Sequence, residues 1–324
     1  MVKYALLVGL NYPDEEKLEL RASYNDVLSV EKFLIEQEGF DNDHILILTD
    51  KNIGDNKEQL NTNFFSIVRR MKEMVALSNK NDILFFYFTG HGTQMKDNDK
   101  DEADYNDEVF LPSDHLNNRI TDDLINSIIS VTDATVLSIF DCCNSGSICD
   151  LKYKYTARPL TLLTNLEIKN EKSNAVCISS CNDNALSYEK VLPSTAGQVK
   201  YFSIFTYNLL KHMSDKRQPF GELLSDLNQA DPIMQKSTMG FSHLDMKEIY
   251  PFTLFVRKQH EQVNFSADDH VIKDKLKKFI KANKFLTRDL DKKNALIERF
   301  KNAMKLKNPD KSNSFNTILY SLHE

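Results

Sequence analysis

The chain has 324 residues, of which 41% are hydrophobic and 27% charged, with a formal net charge of -6. This suits one substantial globular domain with a smaller appendage. An acidic balance excludes a broad basic surface for a nucleic-acid backbone, and no apolar run approaches the roughly 20 residues that cross a bilayer. Neither nucleic acid nor membrane is therefore expected as a partner. The five cysteines are odd in number, and the apolar stretch at the start is too short for a signal peptide and is broken at Asn11. A reducing, cytoplasmic setting is expected rather than a disulfide framework.

Residues 4–10 form a continuous apolar run with the length of a strand buried on both faces. Residues 25–36 place Val27, Leu28, Val30, Phe33, Leu34 and Ile35 at helical spacing after an Asn/Asp start. Residues 61–77 repeat the pattern, and residues 83–88 form a second strand-like run. The acidic segment 96–108 reads as an exposed loop, and residues 122–129 as a short helix. Two more buried strands are expected over residues 134–140 and 175–180, with a helix over residues 202–213. Strand and helix alternating in this way predict an α/β fold, a mostly parallel sheet flanked by helices. The composition changes near Gln259. Residues 265–324 are rich in Lys and Asn, with helical periodicity in Leu276, Phe279, Ile280 and Phe285. They predict a small C-terminal helical appendage after a domain over residues 1–257, either an adaptor for a protein partner or a packing element.

Two turns carry the chemistry. Thr89-Gly90-His91-Gly92 follows the second strand, and its glycines let the backbone turn tightly and leave the imidazole accessible. Asp141-Cys142-Cys143-Asn144-Ser145-Gly146 follows the third strand and puts a thiol before a turn of small residues. Working residues of open α/β sheets gather at the carboxyl ends of strands, so both turns are expected at one sheet edge. A thiol of ordinary pKa, about 8.5, is little ionised at neutral pH, and an adjacent imidazole corrects this and later protonates a leaving amine. The backbone N–H groups of Gly92 and Cys143 are candidate oxyanion donors. Metal ligation by the cysteines is disfavoured, because Cys177 and Cys181 lack a second close pair. No Gly-x-Gly-x-x-Gly follows the first strand, which argues against dinucleotide binding.

These motifs resemble the metacaspase branch of the caspase-like cysteine peptidases. Gly9-Leu10-Asn11-Tyr12 and Leu20-Arg21-Ala22-Ser23-Tyr24-Asn25-Asp26 resemble that family's N-terminal signature, and the likeness runs over roughly residues 1–257. Departures are Asn144 where the family has His, and Ala22-Ser23 where it has Gly-Cys. The resemblance implies a caspase-like sheet and an endopeptidase with His91 and Cys143 as its dyad. Cys142 is the alternative nucleophile. It also implies a primary specificity pocket of Ser23, Asp26, Thr89 and Asp141. Paired carboxylates in a partly dehydrated pocket favour a guanidinium or ammonium, so cleavage of protein or peptide substrates after Arg or Lys is expected. The competing reading of Asp26 is a helix cap or first-turn acid. No cofactor is expected for the chemistry. The resemblance places calcium, as an activator, at Asp107, Asp122 and Asp123, where a solvated loop and a helix cap are the plainer readings. Self-cleavage is expected at Lys169 or Lys172, in the connection before the fourth strand. The reading from another class is a catalytically silent caspase-like scaffold that binds protein partners.

Overall fold

The computed structural model describes residues 1–50, 61–96, 106–143, 145, 148–156, 161–165, 174–181, 188–193, 199–215, 218–230, 236–244 and 246. The chain divides into two compact units, Met1–Phe279 and Ile280–Glu324, and every described residue belongs to the first. The appendage expected over residues 265–324 lies outside the described residues.

The first half supplies β1 (Lys3–Gly9), α1 (Ser23–Glu36), β2 (Ile45–Thr49), α2 (Phe64–Leu77), β3 (Ile83–Thr89), β4 (Gly92–Lys96), β5 (Asn106–Phe110), β6 (Ile120–Thr121), α3 (Asp122–Ile129) and β7 (Thr135–Asp141). The second supplies β8 (Tyr153–Thr156), β9 (Thr161–Thr164), β10 (Asn174–Ser179), β11 (Glu189–Pro193), β12 (Val199–Ser203), α4 (Ile204–Asp215), α5 (Phe220–Ala230) and β13 (Thr238–Phe241). Among the described residues, eight strands form one sheet in the order β2-β1-β3-β7-β10-β13-β8-β9. The first five pair in parallel, and β13, β8 and β9 extend one side antiparallel. This is the mostly parallel, caspase-like α/β sheet that the sequence predicts.

Alternate residues of the central strands feed two separate cores, which is why those strands read as unbroken apolar runs. On one face Leu6, Val8, Leu84, Phe86, Phe88 and Val136 pack with Ile67, Val68 and Met71 of α2 and Ile125, Ile128 and Ile129 of α3. On the other, Ala5, Leu7, Phe85, Tyr87, Leu137 and Ile139 pack with Val27, Val30 and Leu34 of α1, Leu209 of α4 and Leu223 and Leu224 of α5. Each such side chain contributes about 1.5–3 kcal/mol by leaving water. Helix starts follow local chemistry. Asn63 accepts from the Ser66 N–H to begin α2, and Thr121 accepts from the Leu124 N–H to begin α3.

The acidic segment 96–108 departs from the exposed loop that its charge suggests. Its last residues lie in β5, which pairs antiparallel with β4, and Asp107 and Glu108 are buried. Phe110 anchors the same strand, its ring packing 4.2 Å from Phe88 and 5.9 Å from Phe140. Residues 97–105 lie outside the described residues.

Candidate active site

Strand register places the two candidate catalytic residues. Thr89 of β3 and Asp141 of β7 are partners across a parallel pair. His91 and Cys143 each stand two residues beyond their partner, so both emerge at the same carboxyl edge. The Gly90 N–H donates to the Asp141 carbonyl at 3.3 Å and ties the two turns together. A Cβ on Gly92 would overlap the Cys143 carbonyl oxygen and stand 3.0 Å from Cys142 Sγ. Only glycine lets the histidine and cysteine turns approach this closely. The backbones of the two expected oxyanion donors, Gly92 and Cys143, therefore meet at one corner.

His91 is half-buried, and its Nε2 lies 2.8 Å from the Leu18 carbonyl oxygen. A carbonyl only accepts, so this contact puts the proton of the neutral ring on Nε2 and leaves Nδ1 as the basic nitrogen. Burial pushes the imidazole pKa down from the ordinary 6.5, against the upward pull of the Leu18 bond and the Glu189 charge. Neutral imidazole, the form that accepts a proton, is thereby favoured.

None of the five cysteines is in a disulfide, and Cys143 alone is not fully buried. Cys142 is shut inside, where burial, then the charges of Cys181 and Cys143, push its thiol pKa well up. A thiol in that state is a poor nucleophile, which favours Cys143 over its neighbour. The Cys142 carbonyl accepts from Ser145 Oγ (2.9 Å), Ser180 Oγ (3.0 Å) and Cys181 Sγ (3.2 Å). Three donors on one carbonyl fix the peptide plane that leads into Cys143.

Ser23, Asp26, Thr89 and Asp141 are all buried. A Cβ on Gly9 would stand 2.5 Å from Val27 Cγ2 and 3.0 Å from the Ser23 carbonyl oxygen, so this glycine brings the start of α1 down onto the sheet end. Asp26 is an acid in the first turn of α1, but it does not cap the helix. The cap position is Ala22, without a side-chain cap bond, and both Asp26 oxygens accept instead from the Ser203 N–H, at 3.2 and 3.1 Å. Burial raises the Asp26 pKa well above the ordinary carboxyl value, and the Asp141 charge raises it further. The Asp26 and Asp141 carboxyl groups thus act on each other electrostatically. Thr206 Oγ1 donates to Asp141 Oδ2 at 2.6 Å.

Several neighbours carry no signal in the sequence. Glu189, an exposed residue of β11, accepts the Arg21 and Ala22 N–H groups at 2.9 and 2.7 Å, and its charge bears on both Asp26 and His91. Glu189, Ser203 and Thr206 come from remote segments without a recognisable motif, and the Leu18 carbonyl is backbone. Tyr12 stood in a quoted motif, yet only its packing against His91, with ring centroids 4.9 Å apart, gives it a place here.

The acidic residues are differently disposed. Asp122 is buried, with Oδ2 accepting the Glu108 N–H (2.8 Å) and Oδ1 the Asp123 N–H (2.9 Å). Burial, with the Glu108 charge adding to it, pushes its pKa up to about 9. Asp107 is also buried, whereas Asp123 is exposed in the first turn of α3. Among the described residues, no three His, Cys, Asp or Glu side chains gather to hold a metal ion. A calcium ion takes about six to eight oxygens, so these residues alone do not fit one. Lys169 and Lys172 lie outside the described residues.

The family profile described as "Metacaspase, peptidase C14 domain" matches residues 3–152, the stretch that holds His91, Cys143 and all four expected pocket residues. Over residues 3–152 the chain is similar to metacaspases. Over 158 residues the chain is 36% identical to Metacaspase III c of Phaeodactylum tricornutum, covering 47% of this chain and 45% of that one. Metacaspase-1A of Neurospora crassa is 37% identical over 166 residues, 50% of this chain and 36% of its own. Metacaspase-1 of Schizosaccharomyces pombe is 34% identical over 158 residues, 48% and 36% of the two chains. The matches span less than half the length of these metacaspases. A crystal structure of a Geobacter sulfurreducens protein shares the fold at a TM-score of 0.55 and 19% identity, over 78% of this chain and 99% of that one. Among the described residues, no helix is long and apolar enough to cross a membrane.

Proposed function

We propose that the protein is a cysteine endopeptidase that cuts after Arg or Lys, with Cys143 as nucleophile and His91 as acid/base. One observation carries this reading: His91 and Cys143 stand two residues beyond a paired Thr89 and Asp141, with Gly92 against the Cys143 carbonyl. In the proposed reaction His91 Nδ1 takes the Cys143 proton, and the thiolate attacks the scissile carbonyl. The Gly92 and Cys143 N–H groups donate to the resulting oxyanion. His91 then protonates the departing amine, leaving a thioester that water hydrolyses with His91 as base.

The basic specificity rests on Asp26 and Asp141. Their mutual repulsion at a buried position is relieved by a substrate guanidinium or ammonium. Ser23 and Thr89 complete the proposed pocket. Five cysteines outside any disulfide suit a reducing compartment such as the cytoplasm. Calcium activation through Asp107, Asp122 and Asp123, self-cleavage at Lys169 or Lys172, and an adaptor role for residues 265–324 rest on sequence alone. A positional-scanning peptide library, run with calcium and with chelator, tests substrate and activator together. Cleavage confined to Arg and Lys, abolished in Asp26→Ala, is the expected result, and a preference for Asp before the cut refutes it. Mass spectrometry of the same samples reads self-cleavage directly.

A further inference from the structure

Tyr12, in the turn after β1, is a bulky residue with a φ of 51°, in the left-handed region that such residues rarely occupy. It is nevertheless buried, and its polar groups are committed. Its N–H donates to Asp50 Oδ2 at 2.7 Å. Its hydroxyl donates to the Leu111 carbonyl at 2.7 Å and accepts the His91 backbone N–H at 3.0 Å. Its ring is tilted 37° to the His91 ring, and the His115 ring meets it edge-on at 6.1 Å. Asp50, just past β2, also receives the Asn11 N–H (3.0 Å) and the Tyr24 hydroxyl (2.6 Å) on Oδ1. One carboxylate thus joins the turn after β1, the end of β2 and the start of α1. A Cβ on Gly90 would stand 3.0 Å from the Tyr12 hydroxyl oxygen, so the phenol head presses on the turn that carries His91.

We propose that Tyr12 is the positioning residue for His91, and that Asp50 holds Tyr12 in its left-handed conformation for that purpose. The proposal rests on His91 being the acid/base of the reaction. An imidazole that keeps Nε2 on the Leu18 carbonyl while offering Nδ1 must not rotate. The Tyr12 ring restricts that rotation, and the hydroxyl fixes the backbone from which the imidazole hangs. The electron-rich phenol face also favours the imidazolium that forms during turnover. Glu189 from β11 and His115 from the β5–β6 connection also act on the His91 charge, and Glu15 lies 3.5 Å from His115. A pH profile must therefore be compared between variants that leave these three residues in place.

The test is the rate at which iodoacetamide alkylates Cys143 in the full chain, followed by peptide mass spectrometry from pH 5 to 10. His91→Ala, Tyr12→Phe and Asp50→Asn are compared with the wild type. Near pH 7 all three variants should slow alkylation, the Tyr12 and Asp50 variants about tenfold, the scale of one lost hydrogen bond. Above about pH 9 the rates should converge, because the thiol then ionises without help. A merely structural role gives no such pH-dependent convergence. Should Asp50→Asn unfold, seen as labelling of the buried Cys149 and Cys177, Tyr12→Phe decides, since it keeps the ring and the backbone bonds of Tyr12. Wild-type profiles for Tyr12→Phe and Asp50→Asn, with a slowed His91→Ala, overturn the positioning role and leave the dyad standing. A wild-type profile for His91→Ala overturns the dyad itself.

Discussion

Cys142 and Cys143 are joined by one peptide bond, but one side chain is sealed in the core and the other is only partly buried. Cys143→Ala should abolish peptide hydrolysis with an unchanged circular-dichroism spectrum, because the covalent step needs the thiol. Cys142→Ala should keep most of the turnover and lose about 1 kcal/mol of stability, the scale of deleting one small buried group. Urea unfolding and a turnover assay on both variants check the contrast, and the reverse pattern moves the nucleophile by one residue. His91 gives a pH prediction. Its folded pKa is depressed, so as pH falls below 6.5 the unfolded chain takes a proton that the folded chain resists. The stability contributed by the neutral imidazole is present above that pH and is lost toward the lower folded pKa. Urea midpoints from pH 7 to 5 should fall more steeply for the wild type than for His91→Gln, and parallel slopes would contradict the depressed value.

Glycines stand at the closest approaches around the ends of β1 and β3. Gly92→Ala must push the start of β4 off the Cys143 carbonyl, and overpacking of this kind costs about 1–3 kcal/mol. Hydrolysis should fall by well over the tenfold expected from about 1.4 kcal/mol, because the displaced atoms are those beside the thiol. Turnover measured beside the thermal midpoint checks this, and near-normal turnover would show that the contact is not needed. The sequence reveals these elements unevenly. β1, β3, β7 and β10 are legible because both faces are buried and most of their residues are apolar. β8 and β9 read Tyr-Lys-Tyr-Thr and Thr-Leu-Leu-Thr, too short and too polar for periodicity to detect. β2 passes unnoticed at an edge, with only Leu48 and Thr49 fully buried. The proposed dyad is legible because glycine and a side chain able to react share a turn. Asp50, Glu189 and Thr206 are not, since each acts across a long sequence separation through one side chain.

The molecule as a whole carries a buried acid beneath the β5 strand. The folded pKa of Asp122 is raised, so stability from its protonated form is full below the unfolded value of 3.8 and is lost as pH rises toward about 9. Asp122→Asn holds the neutral state at every pH, so its melting temperature should decline less than that of the wild type between pH 5 and 9. Differential scanning calorimetry across that range reads the effect, and identical slopes would show that Asp122 is ionised throughout. Length variation is governed by another feature, the pairing of Thr89 with Asp141. Because β3 and β7 are direct neighbours, the gap between the reactive residues follows the spacing of adjacent strands, about 4.8 Å, and not the length of chain between them. Descendants of this sequence are therefore free to gain or lose residues between β4 and β5 without touching the chemistry. One residue inserted within β7 would turn the thiol to the opposite face of the sheet. Evolution at this site is thus permissive in its loops and nearly forbidden in two strands.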